Sequence, residues 1–436
     1  MVPDVLNLDA PAAIAAIQAG RTSAGEYVAA LAARIEAAEP DLRAWQYFDP
    51  ERAGAEAQKL DSRKDLAELP LAGLPIGVKD IIDTADMPTE NGTELDAGRR
   101  PAADAAVVRL LREAGAIVMG KTVTTELAFM QPSRTRNPRN LEHSPGGSSS
   151  GSAAAVAAVC VPVAIGTQTA GSVIRPAAFC GVYGLKPTYG LFPRAGVLEE
   201  AHSLDTVGVF ANSLGGIAAV TQVLAKHYKH RPGPDYLRAC RNGPPRFAFV
   251  KTPAWLVAED GAKGVFEGFA DALGGACERV ELPPAFDRAI EWHRTIMLSE
   301  MALNYAPYYE RGKERLSTVL REAIEAGRQI PAVDYARALR EREGLYRQLA
   351  ALLAPYDAIL TPSAPGPAPR GFETTGNPIF CSIWTYLGVP ALNLPLLELN
   401  GLPLGAQLVG LRFDEERLLG AAAWLLSHAS APNAGS

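Results

Sequence analysis

Apolar residues recur at helical spacing in several separate stretches of the chain. The first stretch follows Asp9 and ends before Gly20, and the second follows the pair Thr22 and Ser23. Because Asp, Ser and Thr are favoured N-caps and a 3.6-residue period gives a helix one apolar face, Asp9 and either Thr22 or Ser23 are predicted to begin helices. The same pattern predicts further helices over 104–115, with Asp104 as its cap, 153–159, 284–306, 332–355 and 414–427.

Short apolar runs lie between these helical stretches. They predict buried strands over 116–119, 246–250, 358–361 and 405–409, and a further apolar segment over 161–166. Strands that alternate with helices are typical of an α/β fold, in which helices cover a central sheet. The proline-rich break at 232–245 is predicted to be a loop rather than a domain boundary, and residues 429–436 are predicted to form a loose tail.

The composition is that of an ordinary globular protein of 436 residues, 48% hydrophobic and 21% charged. The net charge of −6 shows no basic excess, so we expect neither nucleic acid nor an anionic membrane as a partner. The longest apolar run, 153–166, contains Pro162 and is too short to span a bilayer. Acidic residues near the N-terminus argue against a secretory signal, and five scattered cysteines favour a reducing compartment, the cytoplasm.

Two short patterns match motifs whose structural context is missing. Gly115–Thr122 fits the spacing of a phosphate-binding loop, but its middle is an apolar strand, which disfavours a nucleotide-binding protein. Gly147–Gly151 fits the elbow of the α/β-hydrolases around Ser149, but no strand precedes it and the late histidine that it needs, His428, lies beside the tail. A flexible Gly/Ser linker is also disfavoured, because the cluster runs directly into an apolar helix.

The segment 144–190 holds three blocks rich in small residues: Ser144-Pro-Gly-Gly-Ser-Ser-Ser-Gly-Ser, Gly166-Thr-Gln-Thr-Ala-Gly-Ser172 and Arg175-Pro-Ala-Ala-Phe-Cys-Gly. Together they resemble the signature of the amidase signature family. Blocks in the family's order extend this resemblance to nearly the whole chain: Gly73–Asp80, Gly120-Lys-Thr with Glu126-Leu-Ala, Asn137-Pro, Ser203–Gly208, Tyr356–Pro362 and Gly388–Pro395. The resemblance implies one α/β/α domain with a mixed sheet over 1–430, a signature core over 73–210 and a tail over 431–436.

The resemblance also implies a Ser–Ser–Lys catalytic triad. Its nucleophile is Ser172, its bridging serine is Ser148, which follows a cis peptide bond in the family, and its base is Lys79. This chemistry is coherent, because a lysine takes a proton from a serine only when neutral, and burial among apolar neighbours lowers the pKa of a lysine. The backbone N–H groups implied to form the oxyanion hole are those of Thr169, Ala170, Gly171 and Ser172.

Several positions depart from the family's common pattern. Gln168 replaces the acid before the nucleophile, Ala170 replaces the middle glycine, and Ile174 stands where the arginine is usual, with Arg175 one position later. We interpret the loss of the acid and the shift of the arginine as linked, since removing both charges leaves neither unpaired. Ser150 also replaces a glycine of the cluster. None of these changes falls on the three triad positions.

The resemblance implies an amidase, which we expect to hydrolyse a small-molecule carboxylic amide through a serine acyl-enzyme and to release ammonia or an amine. No acid lies between Glu373 and Glu398, where family members that use glutamine usually carry one. We therefore predict that Phe129, Met130 and Trp384 line a pocket for an apolar or aromatic acyl group, the alternative being that they are plain core. The alternative function is the amidase subunit of a multi-subunit enzyme, either a tRNA-dependent amidotransferase or a hydrolase of urea-like or biuret-like amides.

Neither a cofactor nor a metal is expected, since the histidines show no metal-ligand spacing and the resemblance implies none. A catalytically silent scaffold of the same fold is disfavoured, because all three triad residues are present. The expected partners are a small-molecule amide and a second copy of the chain in a homodimer, with no nucleic acid and no membrane.

Overall fold

The computed structural model describes residues 5–226, 236 and 244–429. In that part of the chain, fourteen α-helices and eleven β-strands follow one another in the alternating order typical of an α/β fold, which confirms the predicted class. Most of the predicted loop at 232–245 and the predicted tail beyond Ala429 lie outside the described residues.

The helices and strands are numbered separately along the chain. The helices are α1 Ala10–Gln18, α2 Ala24–Leu42, α3 Pro50–Asp61, α4 Ala106–Glu113, α5 Ser150–Ala157, α6 Ile174–Cys180, α7 Leu214–Ala225, α8 Asp260–Ala272, α9 Ala289–Asn304, α10 Ala306–Gly312, α11 Thr318–Arg328, α12 Ala332–Leu353, α13 Ile379–Tyr386 and α14 Glu415–Ala429. The strands are β1 Trp45–Phe48, β2 Pro75–Lys79, β3 Ile117–Thr122, β4 Val163–Gln168, β5 Tyr183–Lys186, β6 Thr206–Ala211, β7 Phe247–Val250, β8 Cys277–Val280, β9 Ala358–Pro362, β10 Ala391–Leu399 and β11 Leu402–Val409.

All of these strands belong to one mixed sheet in the order β1-β3-β2-β4-β6-β5-β10-β11-β9-β7-β8. β2 pairs in parallel with β3 and β4, and β7 pairs in parallel with β8 and β9. The other pairs are antiparallel. Parallel neighbours need a crossover connection, and α4 supplies it between β2 and β3, as α8 does between β7 and β8.

Side chains of the strands alternate between two apolar clusters. In β7, Phe247 and Phe249 belong to one cluster, whereas Ala248 and Val250 belong to the other. The first cluster includes side chains of α1, α2, α7 and α14, and the second includes side chains of α9, α12 and α13. Because successive side chains of a strand point to opposite faces, helices cover both faces of the sheet. This is the predicted α/β/α layering.

Two of the predicted helix starts are confirmed by their caps. The carboxylate of Asp9 accepts the N–H of Ala12 at 2.9 Å and begins α1. Ser23, rather than Thr22, begins α2 through a reciprocal capping box, in which its hydroxyl accepts the N–H of Glu26 and its own N–H donates to the Glu26 carboxylate. Local sequence therefore decides both starts.

The predicted cap of α4 is wrong. This helix begins at Ala106 without a side-chain cap. Asp104 does not cap it, because the Asp104 carboxylate accepts the N–H of Ala85 at 2.7 Å instead. A partner distant in sequence has taken the side chain that the local pattern assigned to the helix. The predicted helix over 153–159 begins earlier, at Ser150, and the helix predicted over 284–306 opens with a separate 3-10 turn at Pro284–Arg288.

The parallel pairing of β2 with β4 determines where the implied catalytic residues lie. Val78 of β2 is opposite Ile165 of β4, so Lys79 at the end of β2 lies beside the last residues of β4. The carboxyl ends of parallel strands meet at the same edge of a sheet, which is where open α/β sheets usually bind ligands. Lys79 and the turn that follows Gln168 are therefore neighbours in space.

Replacing Ser23 by alanine tests the capping box. We expect the Ser23→Ala variant to lose about 1 kcal/mol of unfolding free energy, because one N–H of the first turn of α2 loses its acceptor. Urea denaturation followed by circular dichroism measures this loss. Ser62→Ala is the matched control, since the Ser62 hydroxyl donates only to the Lys59 carbonyl at an exposed helix end. Equal losses in the two variants would contradict the assignment.

Candidate active site

Lys79 is the ionisable group at the centre of the site. Its side chain is fully buried, as predicted, and ends β2 among apolar neighbours of the sheet. Its Nζ lies 2.8 Å from the Ser148 hydroxyl and 2.8 Å from the Thr167 hydroxyl. Within the described residues, both hydrogen-bond partners of Nζ are hydroxyl oxygens. Lys79 and Ser148, predicted to act together, are thus in direct contact.

Burial sets the protonation of this lysine. It lowers the pKa of Lys79 to about 7, because the charged form loses its hydration, while the acidic Glu200 and Asp205 oppose the shift. A large fraction of Lys79 is consequently the neutral amine near pH 7. A neutral amine has a free lone pair and accepts a proton from a hydrogen-bonded hydroxyl.

Ser148 lies in the tight turn before α5. The peptide bond between Gly147 and Ser148 is cis, as the resemblance implies, and the Ser148 carbonyl accepts the N–H of Thr125 at 3.1 Å. A Cβ atom at position 147 would lie 2.9 Å from Cγ2 of Thr375 and 3.1 Å from Cγ2 of Thr125. A side chain at this position would force Thr375 to move, which favours the glycine directly before Ser148.

Ser172 lies in the turn that joins β4 to α6. Its side chain is 8% exposed, so it is buried without being fully enclosed. Lys79 and Ser172 therefore follow neighbouring parallel strands at the same edge of the sheet. The implied oxyanion residues Thr169, Ala170 and Gly171 form the rest of this turn.

The carbonyl groups of the three residues before Ser172 are held from outside the turn. The Thr169 carbonyl lies 2.9 Å from Nε2 of His293, and the Ala170 carbonyl accepts the Thr385 hydroxyl at 2.8 Å. The Gly171 carbonyl accepts the N–H of Arg175 at 2.9 Å, which begins α6. Because its carbonyls are tied to α9, α13 and α6, the turn is held from three sides.

Gln168 shows how the chain manages without the family's usual acid. Its side-chain oxygen accepts the N–H groups of Val173 at 2.8 Å and Ile174 at 3.0 Å. Its side-chain nitrogen donates to the Thr385 hydroxyl at 3.0 Å. A neutral amide thus accepts two backbone N–H groups directly after the nucleophile. Ile174, which replaces the usual arginine, is fully buried and needs no ionic partner.

Arg175 contradicts the interpretation that both charges are removed together. Its guanidinium is buried and donates through Nη2 to the Gly147 carbonyl at 2.6 Å and to the Thr375 hydroxyl at 3.2 Å. Nε and Nη1 have no hydrogen-bond partner among the described residues. Burial lowers the pKa of Arg175 to about 10, so the group stays charged at neutral pH without a carboxylate partner.

Two buried carboxyls lie on the other side of the turn. The Thr169 hydroxyl donates to Asp205 at 2.6 Å, and the second oxygen of Asp205 accepts the N–H groups of Glu200 and Ala201. Burial raises the pKa of both Asp205 and Glu200. In the sequence, Asp205 lies in a family block without a predicted role, and no local pattern indicated the residues whose contacts are long-range: Thr167, Glu200, His293, Thr375 and Thr385.

The two disfavoured motifs are explained by core contacts. Residues 117–122 form β3, and Lys121 belongs to the strand rather than to a turn, with its Nζ 3.3 Å from Asp80. The Ser149 hydroxyl donates to the Thr167 carbonyl at 3.2 Å and is fully buried. His428 stacks on Trp424 with ring centroids 3.8 Å apart. Neither phosphate binding nor a Ser149 elbow fits these contacts.

The residues predicted to line an acyl pocket lie in different surroundings. Phe129 packs in an apolar cluster with side chains of α9 and α11, whereas Trp384 packs in the cluster that contains Ile174. Met130 is 38% exposed. A common pocket for Phe129, Met130 and Trp384 stays a prediction. Among the described residues, no group of three or more His, Cys, Asp or Glu side chains could hold a metal ion.

Comparison with known proteins gives the family of this chain. The amidase family model matches residues 26–419. The chain belongs to the amidase signature family. It is therefore an enzyme that cleaves amide C–N bonds, a class that includes hydrolases and amidotransferases.

Relatives and solved structures match this amidase over nearly its whole length. A glutamyl-tRNA(Gln) amidotransferase subunit of Chloroflexus aggregans is 34% identical, with 94% of each chain covered. Its chloroplastic/mitochondrial counterpart of Sorghum bicolor is 34% identical, with 92% of this chain and 85% of the other covered. The peptide amidase of Stenotrophomonas maltophilia superposes with a TM-score of 0.82 at 29% identity, covering 99% of both chains. A chain of a vestigial complex related to an s-triazine catabolic enzyme reaches 0.86 at 28% identity, covering 97% and 98%.

The partners predicted from the sequence are contradicted by these relatives. We expected a small-molecule amide and a second copy of the chain, without nucleic acid. Relatives that match over 92–95% of the chain are instead named as subunits of a tRNA amidotransferase. The prediction was wrong because net charge indicates only whether a chain itself contacts nucleic acid, and one subunit of a larger enzyme does not need such a contact surface.

None of the described helices is long and apolar enough to cross a membrane.

The titration of Lys79 is directly measurable. With ¹³C-labelled lysine, we expect the Cε resonances of Lys79 and of the equally buried Lys186 to titrate near pH 7 and that of Lys121 near pH 8, whereas exposed lysines titrate at ~10.4. Because burial disfavours the charged form, the Lys79 signal should report the neutral amine above pH 7 and the ammonium below it. Lys79→Met assigns the resonance by removing it. A lysine resonance that disappears in Lys79→Met but titrates only above pH 9 in the wild type would refute the prediction.

Proposed function

We propose that this amidase is the ammonia-releasing component of an amidotransferase built from several subunits and that it cleaves a carboxamide through an acyl-enzyme on Ser172. The observation that carries the chemistry is the buried Lys79, hydrogen-bonded to Ser148 at 2.8 Å beside the turn that holds Ser172. The 34% identity over 94% of both chains to a glutamyl-tRNA(Gln) amidotransferase subunit supports the assignment to an assembly.

Proton transfer runs from the nucleophile to the lysine. The Ser172 hydroxyl attacks the amide carbonyl carbon and passes its proton to the Ser148 oxygen, while the Ser148 proton moves to neutral Lys79. Lys79 can take this proton because burial keeps a large fraction of it uncharged near pH 7. Thr167 holds Nζ from a second side and fixes its direction.

The developing oxyanion is bound by backbone N–H groups of the turn at 169–172. Such donors are already oriented before the reaction, and each is typically worth ~2.7–4 kcal/mol in the transition state. Collapse of the tetrahedral intermediate breaks the C–N bond, and the proton on Lys79 returns through Ser148 to the leaving nitrogen. Water then attacks the acyl-enzyme by the same route and releases the acid.

The proposal includes the cellular compartment and the domain bounds of the enzyme. The described cysteines are unpaired, which is typical of the reducing cytoplasm: Cys160, Cys180, Cys277 and Cys381. We place the protein there, as one amidase domain over 1–430 with its signature core over 73–210.

Alanine at the nucleophile tests the chemistry. We expect Ser172→Ala, Ser148→Ala and Lys79→Met each to lower kcat for ammonia release from primary amides by about 10⁴-fold or more, because the three groups form one proton-transfer path. Coupled glutamate dehydrogenase detection measures the ammonia. Ser149→Ala is the matched control, as it removes a neighbouring buried hydroxyl outside the proton path. Activity that survives in Ser172→Ala but not in Ser149→Ala would overturn the assignment.

A second experiment tests the assembly. The chain would be expressed alone and together with the other subunits of a glutamyl-tRNA(Gln) amidotransferase from its own source. We expect amidation of glutamyl-tRNA(Gln) only in the complete mixture, and its loss when the chain carries Ser172→Ala. Full ammonia release by the chain alone, unchanged by the added subunits and without tRNA amidation, would refute the role in an assembly and leave the amidase chemistry standing.

A further inference from the structure

Two carbonyls of the turn before the nucleophile are held by donors from distant parts of the chain. His293 of α9 contacts the Thr169 carbonyl and Thr385 of α13 donates to the Ala170 carbonyl, at 2.9 and 2.8 Å. His293 and Thr385 are more than one hundred residues away from the turn in sequence, and both lie outside the signature region. Neither belongs to the proton path that the proposed function describes.

Peptide geometry gives these contacts a consequence for the oxyanion hole. The two peptide bonds are trans, since the cis bond of the described chain is at Gly147–Ser148. In a trans peptide the C=O and the following N–H point in opposite directions along one rigid plane. Fixing the Thr169 carbonyl therefore fixes the Ala170 N–H, and fixing the Ala170 carbonyl fixes the Gly171 N–H.

From this geometry we infer that His293 and Thr385 are positioning residues that aim the N–H groups of Ala170 and Gly171 at the reacting oxygen. The inference rests on the proposed function, in which these N–H groups form the oxyanion hole. It adds two residues that touch no reacting atom and act through the peptide planes they hold. Donors aimed before the reaction stabilise the transition state without reorganising during it.

His293 has the properties that this role requires. A carbonyl oxygen only accepts, so Nε2 of His293 must carry a proton, which defines the tautomer of the neutral ring. The side chain is 3% exposed, and burial lowers its pKa to about 4. The ring therefore stays a neutral donor across the pH range in which Lys79 changes its charge.

Thr385 is fixed in its turn by Gln168. The Gln168 side-chain nitrogen donates to the Thr385 hydroxyl at 3.0 Å, which leaves the single hydroxyl proton for the Ala170 carbonyl. The oxygen of the same Gln168 side chain accepts two N–H groups just after the nucleophile. Gln168 and Thr385 thus brace the turn on both sides of Ser172, at a position where the family usually has an acid.

The test compares variants that remove each donor with little change of shape. Full-length Thr385→Val and His293→Phe would react with a fluorophosphonate, which bonds its phosphorus to the Ser172 oxygen. Fluoride leaves, and the hydroxyl proton passes through Ser148 to Lys79. Because the phosphoryl oxygen occupies the oxyanion hole, we expect the maximal inactivation rate to fall about 10- to 100-fold in each variant. The half-saturating concentration should change less than about threefold, since the donors act in the transition state.

Matched variants separate positioning from general loss of structure. Thr221→Val removes a buried hydroxyl that donates to the Ile217 carbonyl within α7, at 2.7 Å, and should react as the wild type does. Thr385→Ser keeps the donor and should restore most of the rate. His293→Gln keeps an N–H donor and should be less impaired than His293→Phe. Thermal midpoints of all variants would be measured beside the rates.

The outcomes distinguish this inference from the proposed function. If mass spectrometry finds the label on Ser172 while Thr385→Val and His293→Phe react as fast as Thr221→Val, the inference is wrong and the proposed nucleophile stands. If the wild type carries no label on Ser172, the proposed function fails, and the inference fails with it. Slow reaction of Thr385→Val that Thr385→Ser does not recover would also overturn the inference, because loss of packing would then explain the rate.

Discussion

The burial of one lysine without an acidic partner in contact is the constraint on which the site depends. Lys79 and Lys121 lie on neighbouring strands and are both buried, yet they differ in their partners. Lys121 lies 3.3 Å from Asp80, and its pKa is lowered only to about 8. Lys79 meets the hydroxyls of Ser148 and Thr167 instead, and its pKa falls to about 7. Direct contact with a carboxylate would hold Lys79 protonated and remove the base.

Most side chains that hold the turn of the nucleophile are neutral. Gln168 replaces an acid, Thr385 and His293 are neutral donors, and the nearby carboxyls of Glu200 and Asp205 have raised pKa values because they are buried. Neutral dipoles can orient a backbone without adding a charge that would have to be desolvated. The exception is Arg175, whose charge is held against the Gly147 carbonyl rather than against an acid.

Much of this arrangement could be predicted from the sequence, and the rest could not, for a physical reason. The apolar neighbours of Lys79 in the sequence predict its burial, and the family resemblance implies the cis bond before Ser148. The sheet edge at which β2 and β4 end was not predicted, because it depends on strand pairing between distant segments. Asp104 was assigned to the wrong partner, since local patterns cannot show that a backbone N–H nineteen residues away competes for a carboxylate. His293 and Thr385 were missed because no spacing rule links them to residues more than one hundred positions earlier.

The failed prediction about partners has a different origin. A net charge of −6 argues against a chain that itself coats a nucleic acid, since phosphate contacts need clustered lysine and arginine. It says nothing about a component that only produces ammonia for a reaction on tRNA carried out elsewhere in an assembly. The proposed chemistry, a serine acyl-enzyme with a lysine base, needs a site with a buried amine rather than a basic surface. An acidic chain with such a site is therefore compatible with relatives named for a tRNA-dependent enzyme.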